Sequence, residues 1–192
     1  DYANITSVFQ LVYAISMLFA GRFIDKLGTK KGYVWAIVIW SLGAIIHALA
    51  LPMGEKVCAI LGFTGMGLTF FSVVGFMISR AVLAFGEAGN FPAAIKATAE
   101  WFPKKERALA TGIFNSGTNI GAIIAPLTVP FIAIHYGWKW AFVLTGLLGF
   151  IWLYFWQRHY SLPKVHPKLS KEEFDLDSEL LSVIEEFNNE NL

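Results

Sequence analysis

Residues 5–51 read ITSVFQLVYAISMLFAGRFIDKLGTKKGYVWAIVIWSLGAIIHALAL, two long apolar runs joined by a short basic stretch. Because an α-helix rises about 1.5 Å per residue, roughly 20 apolar residues cross the hydrocarbon core of a bilayer. The whole chain has the same character, since 56% of its 192 residues are hydrophobic and 15% are charged, against about 25% charged in soluble domains. The sequence therefore predicts an all-α membrane protein.

Apolar runs of similar length recur along the chain and predict five membrane-spanning helices. Their expected bounds are about 5–20, 33–51, 73–97, 108–134 and 138–157. The stretch 57–72 is also apolar but contains three glycines, so it is either a further span or an extension of its neighbours.

The placement of lysine and arginine decides between these alternatives. Four of them follow each of the first, third and fifth predicted helices, whereas one lies in each of the other two connections. Cytoplasmic connections carry the excess of positive charge, so the loops at 21–32 and 98–107 and the tail 158–192 are expected in the cytoplasm. An even number of crossings must then separate the first two groups, and 57–72 is predicted to be an extension or an interfacial segment on the outer side.

Two charged residues, Arg80 and Glu87, lie inside the third predicted helix. Charges at that depth are costly and usually face a cavity or a partner. Their spacing places them on one face about 10 Å apart, so each is expected to meet some other group. A guanidinium suits both oxygens of a carboxylate, and a buried glutamate can hold a proton. The pair predicts an anion site beside a proton carrier, and the alternative is a structural pair bonded to neighbouring helices.

The basic stretch between the first two helices has a specific residue order. It reads Gly21-Arg-Phe-Ile-Asp25-Lys-Leu-Gly28-Thr-Lys30-Lys31, and Gly28 permits a tight turn. This order resembles the loop signature of the major facilitator superfamily, which is a family of membrane transporters. The resemblance implies a major facilitator-type bundle of twelve helices, in which Asp25 helps to hold two halves together.

The resemblance also implies a domain organisation. Residues 1–160 correspond to the second to sixth of twelve helices, a partial amino-terminal half, and residues 161–192 to part of a cytoplasmic central linker. The remainder of the same transporter, including a first helix, is then an expected partner. The residues assigned to the motif loop and to gating are Gly21, Asp25, Gly28, Lys30, Lys31 and Arg107.

Further motifs are similar to the anion:cation symporter branch, and most of all to bacterial hexuronate and sugar-acid transporters. They are Arg80-Ala-Val-Leu-Ala-Phe-Gly-Glu87, Glu100-Trp-Phe-Pro103, Phe114-Asn-Ser-Gly117 and Gly137-Trp-Lys-Trp-Ala-Phe142.

In that branch the matching residues bind substrate and couple protons. The resemblance implies that Arg80, Tyr13 and Asn115 bind the substrate and that Glu87 couples protons. It implies proton symport of a hexuronate or related organic anion across the bacterial inner membrane. An exchanger of the same superfamily, or a non-transporting sensor on the same fold, is the alternative.

Other polar residues have plainer interpretations. Tyr13 and Asn115 could instead bond a neighbouring helix. His47, in the second span, is interpreted as a packed or hydrogen-bonded histidine in preference to a proton relay. Gly117 and Gly121 are four residues apart, a spacing that predicts close helix approach.

Several classes of function are not expected. A single cysteine excludes an internal disulfide, and no metal-ligand spacing is present, so no metal or cofactor is expected. No set of nucleophile, base and acid predicts an enzyme, and no catalytic residue is assigned. The basic residues alternate with spans and form no stripe, which argues against nucleic acid. The expected partners are a small carboxylate, a proton and the lipid bilayer.

Overall fold

Seven α-helices and one short 3₁₀ turn make up nearly all of the residues that the computed structural model describes, 1–63 and 65–163. The helices are α1 (Tyr2–Leu27), α2 (Thr29–Ile46), α3 (Ala50–Ile60), α4 (Leu68–Glu87), α5 (Asn90–Trp101), α6 (Arg107–Tyr136) and α7 (Trp138–His159), and the turn is His47–Leu49. These ranges contain no strand, and the predicted all-α class is confirmed. Most of the predicted linker, 161–192, lies outside the described residues.

The seven helices form five segments that are long and apolar enough to cross a membrane. The 3₁₀ turn joins α2 to α3, so that Thr29–Ile60 is one segment, and α4 continues into α5 as Leu68–Trp101. The prediction of five spans is therefore confirmed. The stretch 57–72 is no separate span, because α3 ends at Ile60 and α4 begins at Leu68.

Prolines account for the two interruptions inside these long segments. A proline lacks the backbone N–H, and its ring clashes with the carbonyl four residues earlier. Pro52 in α3 acts in this way on Ala48, which lies in the 3₁₀ turn. Pro92 in α5 acts on Ala88, which lies between α4 and α5. Each segment is interrupted at these points but continues.

The connections are shorter than the sequence predicts, and the expected loop at 21–32 is wrong. Helix α1 continues to Leu27 and α2 begins at Thr29, so only Gly28 lies between them, with a φ of 76°. Likewise 98–101 of the expected loop at 98–107 belong to α5. Long basic side chains can reach water from a helical backbone, so the helix does not end where the apolar run ends. Gly28 reverses the chain because glycine tolerates a positive φ.

Glycines bring α4 into backbone contact with α2 and α3. At each of four of them, an added Cβ would lie within 3 Å of backbone atoms across the interface: Gly43, Gly54, Gly75 and Gly86. At Gly75 it would lie 1.7 Å from the carbonyl oxygen of Ala50. Any side chain at these positions would force the helices apart.

Helix α7 packs on another face of α2. Gly146 and Gly149 of α7 approach Ser41 of α2 closely. Towards the end of α7, Tyr33 meets Trp156, with ring centroids 4.9 Å apart. Small residues in the middle and aromatic rings at the end thus fix how α7 lies along α2.

Helix α6 lies at the edge of the bundle, on α7 and α5. None of its residues is buried. An added Cβ at Gly117 or Gly121 would meet no atom within 4 Å. The close helix approach predicted for this pair is therefore not made among the described residues, and the bundle uses other glycines for it.

We expect Gly75→Ala to lower the free energy of unfolding by about 1–3 kcal/mol, because the new methyl group overlaps the α3 backbone. The measurement is unfolding by denaturing detergent, followed by helical circular dichroism. Gly117→Ala is the matched control and should not destabilise the protein, because its Cβ enters open space. Equal losses in the two variants would contradict the packing described for α3 and α4.

Candidate functional site

Helix α4 carries both of the charged residues that the sequence places inside a span. Arg80 and Glu87 are half-buried, and Glu87 is the last residue of the helix. They stay on one face, about 10 Å apart along the axis. Helix α4 packs against α1, α2 and α3, and Arg80 lies on the side of α4 that meets α1.

One aromatic ring of α1 lies next to the arginine, and a second ring stacks on the first. The guanidinium carbon of Arg80 lies 5.8 Å from the ring centroid of Phe9, a cation–π distance. Phe9 in turn stacks on Tyr13, with centroids 6.0 Å apart and an interplanar angle of 13°. The structure therefore brings Arg80 and Tyr13 together through Phe9. Phe9 is not among the residues predicted from the sequence, although its spacing of four from Tyr13 puts both rings on one helix face.

The two charged groups have few protein partners. Among residues 1–63 and 65–163, Arg80 and Glu87 make no hydrogen bond and no ion pair. An arginine has five N–H donors in a planar fork. The contact with Phe9 is not a hydrogen bond, so it does not use these donors.

Asn115 lies apart from this group. It is exposed on α6, and its backbone carbonyl accepts a hydrogen bond from the Thr118 hydroxyl. No described contact joins its side chain to Arg80 or Tyr13. Its assignment to the substrate site stays a prediction.

The basic end of the bundle is defined here as Gly21–Lys31, 96–107 and 156–160. At this end Lys96 donates to Asp25 at 2.6 Å, linking α5 to α1. The Asp25 side chain is 70% exposed, and exposed ion pairs contribute about 0–1 kcal/mol. The pair therefore adds little to stability, and Asp25 remains open to other partners.

Arg107 and Lys30 of the motif take part in hydrogen bonds to backbone carbonyl oxygens. Arg107 donates to the carbonyl oxygens of Phe102, at 2.9 Å, and Ala99, at 2.8 Å, and so satisfies carbonyls at the end of α5. The carbonyl of Lys30 accepts a hydrogen bond of 3.3 Å from Trp156. By contrast, Lys31 is exposed and Gly21 has no close neighbour.

A carboxylate without an assigned role ties three segments together at this end. Glu100 of α5 accepts a hydrogen bond from the Thr29 hydroxyl at 2.5 Å and another from the Tyr160 hydroxyl. Thr29 begins α2, and Tyr160 follows α7. We call these three residues the Glu100 clamp. Sequence separations of 71 and 60 residues hide it from any local pattern.

The Tyr160 hydroxyl is the hydrogen-bond donor of the clamp whose surroundings favour its protonated form. It is buried, and its ring stacks on Trp156 at 3.9 Å. Burial, together with the hydrogen bond to Glu100, raises the pKa of the Tyr160 phenol. The hydroxyl therefore keeps its proton at neutral pH and holds the Glu100 carboxylate.

A cavity of about 530 Å³ lies between α5 and α7. Its wall is largely aromatic and includes Trp101, Phe102, Trp152 and Phe155. None of the predicted substrate or proton residues lines it. An apolar wall of this kind does not select a small carboxylate, so the charged face of α4 is the better candidate site.

A comparison with family models decides the identity of the fold. The model described as Major Facilitator Superfamily matches residues 1–190. The chain belongs to the major facilitator superfamily. The resemblance predicted from the sequence is thereby confirmed, as is the prediction of a transporter fold in place of an enzyme.

Curated relatives of this major facilitator chain are named as transporters. The galacturonate transporter of Dickeya chrysanthemi is 35% identical over 173 residues, which cover 90% of this chain and 44% of that protein. The hexuronate transporter of Escherichia coli (strain K12) is 34% identical over 175 residues, 91% of this chain and 36% of that protein. The probable galactarate/D-glucarate transporter GarP of the same strain is 31% identical over 182 residues, which cover 94% of this chain and 38% of that protein. The chain thus spans less than half the length of these relatives.

We expect Tyr160→Phe to lower the free energy of unfolding by about 1.5–3 kcal/mol, the range for a hydrogen bond to a charged group. The substitution keeps the ring on Trp156 and removes only the donor to Glu100. Unfolding in detergent measures the loss, and Tyr154→Phe is the control, since Tyr154 is 65% exposed. A Tyr160→Phe variant as stable as this control would contradict the Glu100 clamp.

Proposed function

We propose that this chain is part of a secondary transporter that moves an organic anion, a hexuronate or related sugar acid, together with protons. The observation that carries the proposal is Arg80, a guanidinium inside an apolar segment whose donors no described protein group uses. Intramembrane charges of this kind mark substrate and ion pathways. The names of the relatives, galacturonate and hexuronate transporters, support a sugar acid as the substrate class.

The proposed binding step pairs the substrate carboxylate with Arg80. The planar fork accepts both carboxylate oxygens, while Phe9 keeps the guanidinium oriented from the side of α1. Tyr13, next to Phe9, offers a hydroxyl to the sugar. Asn115 joins the site from α6 in the complete transporter.

The proposed coupling step uses Glu87. This carboxylate is half-buried and on the same face of α4 as Arg80. A proton on Glu87 removes a negative charge close to the incoming anion, so the loaded transporter can close around a smaller net charge. Release on the other side follows when Glu87 gives up its proton. This order makes the movement of the anion depend on the proton.

The proposal includes an orientation and a place in the whole protein. We place the chain in the bacterial inner membrane with the basic end in the cytoplasm, because positive charge is retained on that side. Residues 1–160 stand as the second to sixth of twelve helices, and 161–192 as part of the linker that follows. Asp25, largely exposed at the basic end, contacts the other half in this arrangement, and exposed α6 faces it.

We expect Arg80→Ala in the full-length transporter to reduce galacturonate uptake by at least about 30-fold, the equivalent of some 2 kcal/mol for an unpaired buried charge. Uptake is measured in proteoliposomes under an inward proton gradient. Arg80→Lys keeps the charge without the fork and should retain only weak uptake. Lys56→Ala, which removes an exposed cation from α3, is the control. Uptake within twofold of wild type in Arg80→Ala would refute the substrate role.

We expect Glu87→Gln to stop accumulation against a gradient and to leave counterflow of labelled for unlabelled galacturonate. Net uptake needs the proton cycle of this carboxylate, while exchange does not. Glu55→Gln, at an exposed carboxylate of α3, should behave as wild type in both assays. If the Glu87→Gln protein still concentrates galacturonate, the coupling role belongs elsewhere.

A further inference from the structure

His47 is a completely buried histidine at the point where α2 gives way to the 3₁₀ turn. Its ring lies parallel to Phe142 of α7, with centroids 4.8 Å apart and an angle of 9°. Phe76 of α4 lies on another side, at 6.0 Å. Three spans therefore meet at this one imidazole.

The hydrogen bond of His47 fixes its tautomer. Nδ1 lies 2.6 Å from the carbonyl oxygen of Gly43. A carbonyl oxygen only accepts, so Nδ1 carries the hydrogen. In the neutral ring Nε2 is then an acceptor, and no atom of the described residues hydrogen bonds to it. A ring kept only for packing gains nothing from a buried, unpaired nitrogen, since phenylalanine would fill the same space.

The surroundings of the ring suit a cation in two respects. A proton on Nε2 leaves the Nδ1–H bond to Gly43 intact and strengthens it, because charged donors bond more strongly. The stacked ring of Phe142 presents its negative face to the imidazolium. Two effects oppose the charge: the ring is completely buried, which is costly for a cation, and the positive charge of Arg80 lies one turn beyond Phe76 on α4.

Other charged groups on the elements around His47 are less well placed to act on it. The titratable groups on the packed elements are Lys30, Lys31 and Tyr33 of α2, Glu55, Lys56 and Cys58 of α3, Arg80 and Glu87 of α4, and Lys139, Tyr154, Arg158 and His159 of α7. Those of α2 lie at the basic end, at least about 20 Å away along the helix. Glu55, Lys56 and Lys139 are exposed and screened by water. Arg80, one turn from Phe76, is thus the charged group of α4 closest to His47 along that helix.

We propose that Nε2 of His47 binds a second transported proton, and that it does so when a substrate carboxylate occupies Arg80. The carboxylate cancels the charge of Arg80 and so removes the electrostatic repulsion, which is one of the two effects that oppose a proton on Nε2. By linkage, protonation of His47 tightens anion binding by the same factor. The proton enters from the side that admits the anion and leaves Nε2 once the anion is released. This inference rests on the proposed function of Arg80.

The experiment counts the protons taken up by the purified full-length transporter when galacturonate binds. A pH indicator in weakly buffered detergent solution reports the uptake between about pH 6 and 8. Wild type should take up about two protons per anion, one each on Glu87 and His47, and the affinity should change by up to about a hundredfold per pH unit. Either Glu87→Gln or His47→Gln should lower the count to about one proton per anion and the change in affinity to about tenfold per pH unit.

A matched control separates titration from packing. His135 of α6 makes the same bond to a carbonyl four residues earlier, from Nδ1 to Phe131 at 2.9 Å, but is exposed. His135→Gln should leave the count at about two. His47→Phe keeps the stack on Phe142 and should match His47→Gln, so it replaces that variant if the glutamine does not fold.

Three results would overturn the inference. They are a wild-type count of one, a Glu87→Gln protein that takes up no proton, and a His47 variant that keeps the full count. A Glu87→Gln protein that takes up no proton overturns the inference even if no His47 variant folds. If Arg80→Ala binds galacturonate normally, the proposed function itself fails. If Arg80→Ala loses binding while His47 variants keep the full count, only the second proton site fails.

Discussion

The fold depends on backbone contact between its second and third membrane segments. Lipid tails are as apolar as leucine side chains, so helices in a bilayer associate through close packing and hydrogen bonds and not through the hydrophobic effect. Here glycines on both segments remove the side chains that would keep α4 away from α2 and α3. That contact fixes the positions of Arg80 and Glu87 on α4 and of His47 at the junction of α2 and α3. The site is thus a product of helix packing and not of a loop.

Much of the architecture follows from the sequence, because apolar runs and basic clusters report directly on the bilayer. The five spans and the continuity of 57–72 with its neighbours could be predicted in this way. The loop at 21–32 could not, because a hydropathy boundary marks where lipid ends and not where a helix ends. The close helix approach predicted at Gly117 and Gly121 is not made among the described residues, because the same spacing serves partners inside or outside this part of the chain. None of Gly43, Gly54, Gly75 and Gly86 has a second glycine four residues away. Their close contacts are with helices distant in sequence, so no local pattern predicts them.

The candidate site was predictable to a similar degree. Arg80 and Glu87 are visible because a charge in an apolar run is costly and therefore rare. The roles of Phe9 and of the Glu100 clamp could not be predicted from the sequence, because a phenylalanine in a membrane helix and a glutamate at a helix end are both common. Only the fold brings Thr29, Glu100 and Tyr160 together. The two carboxylates also differ in their partners: each oxygen of Glu100 accepts a hydrogen bond from a hydroxyl, whereas Glu87 has no hydrogen bond or ion pair among the described residues.

The single residue between α1 and α2 has a mechanical consequence. Gly28 turns the chain with a backbone conformation that other residues rarely adopt, and it offers no slack. At the opposite end, α3 and α4 are joined by a longer connection that includes Gly62, Gly65 and Gly67. A displacement of α1 at the basic end therefore has to move α2 with it or change the backbone dihedral angles of Gly28 itself.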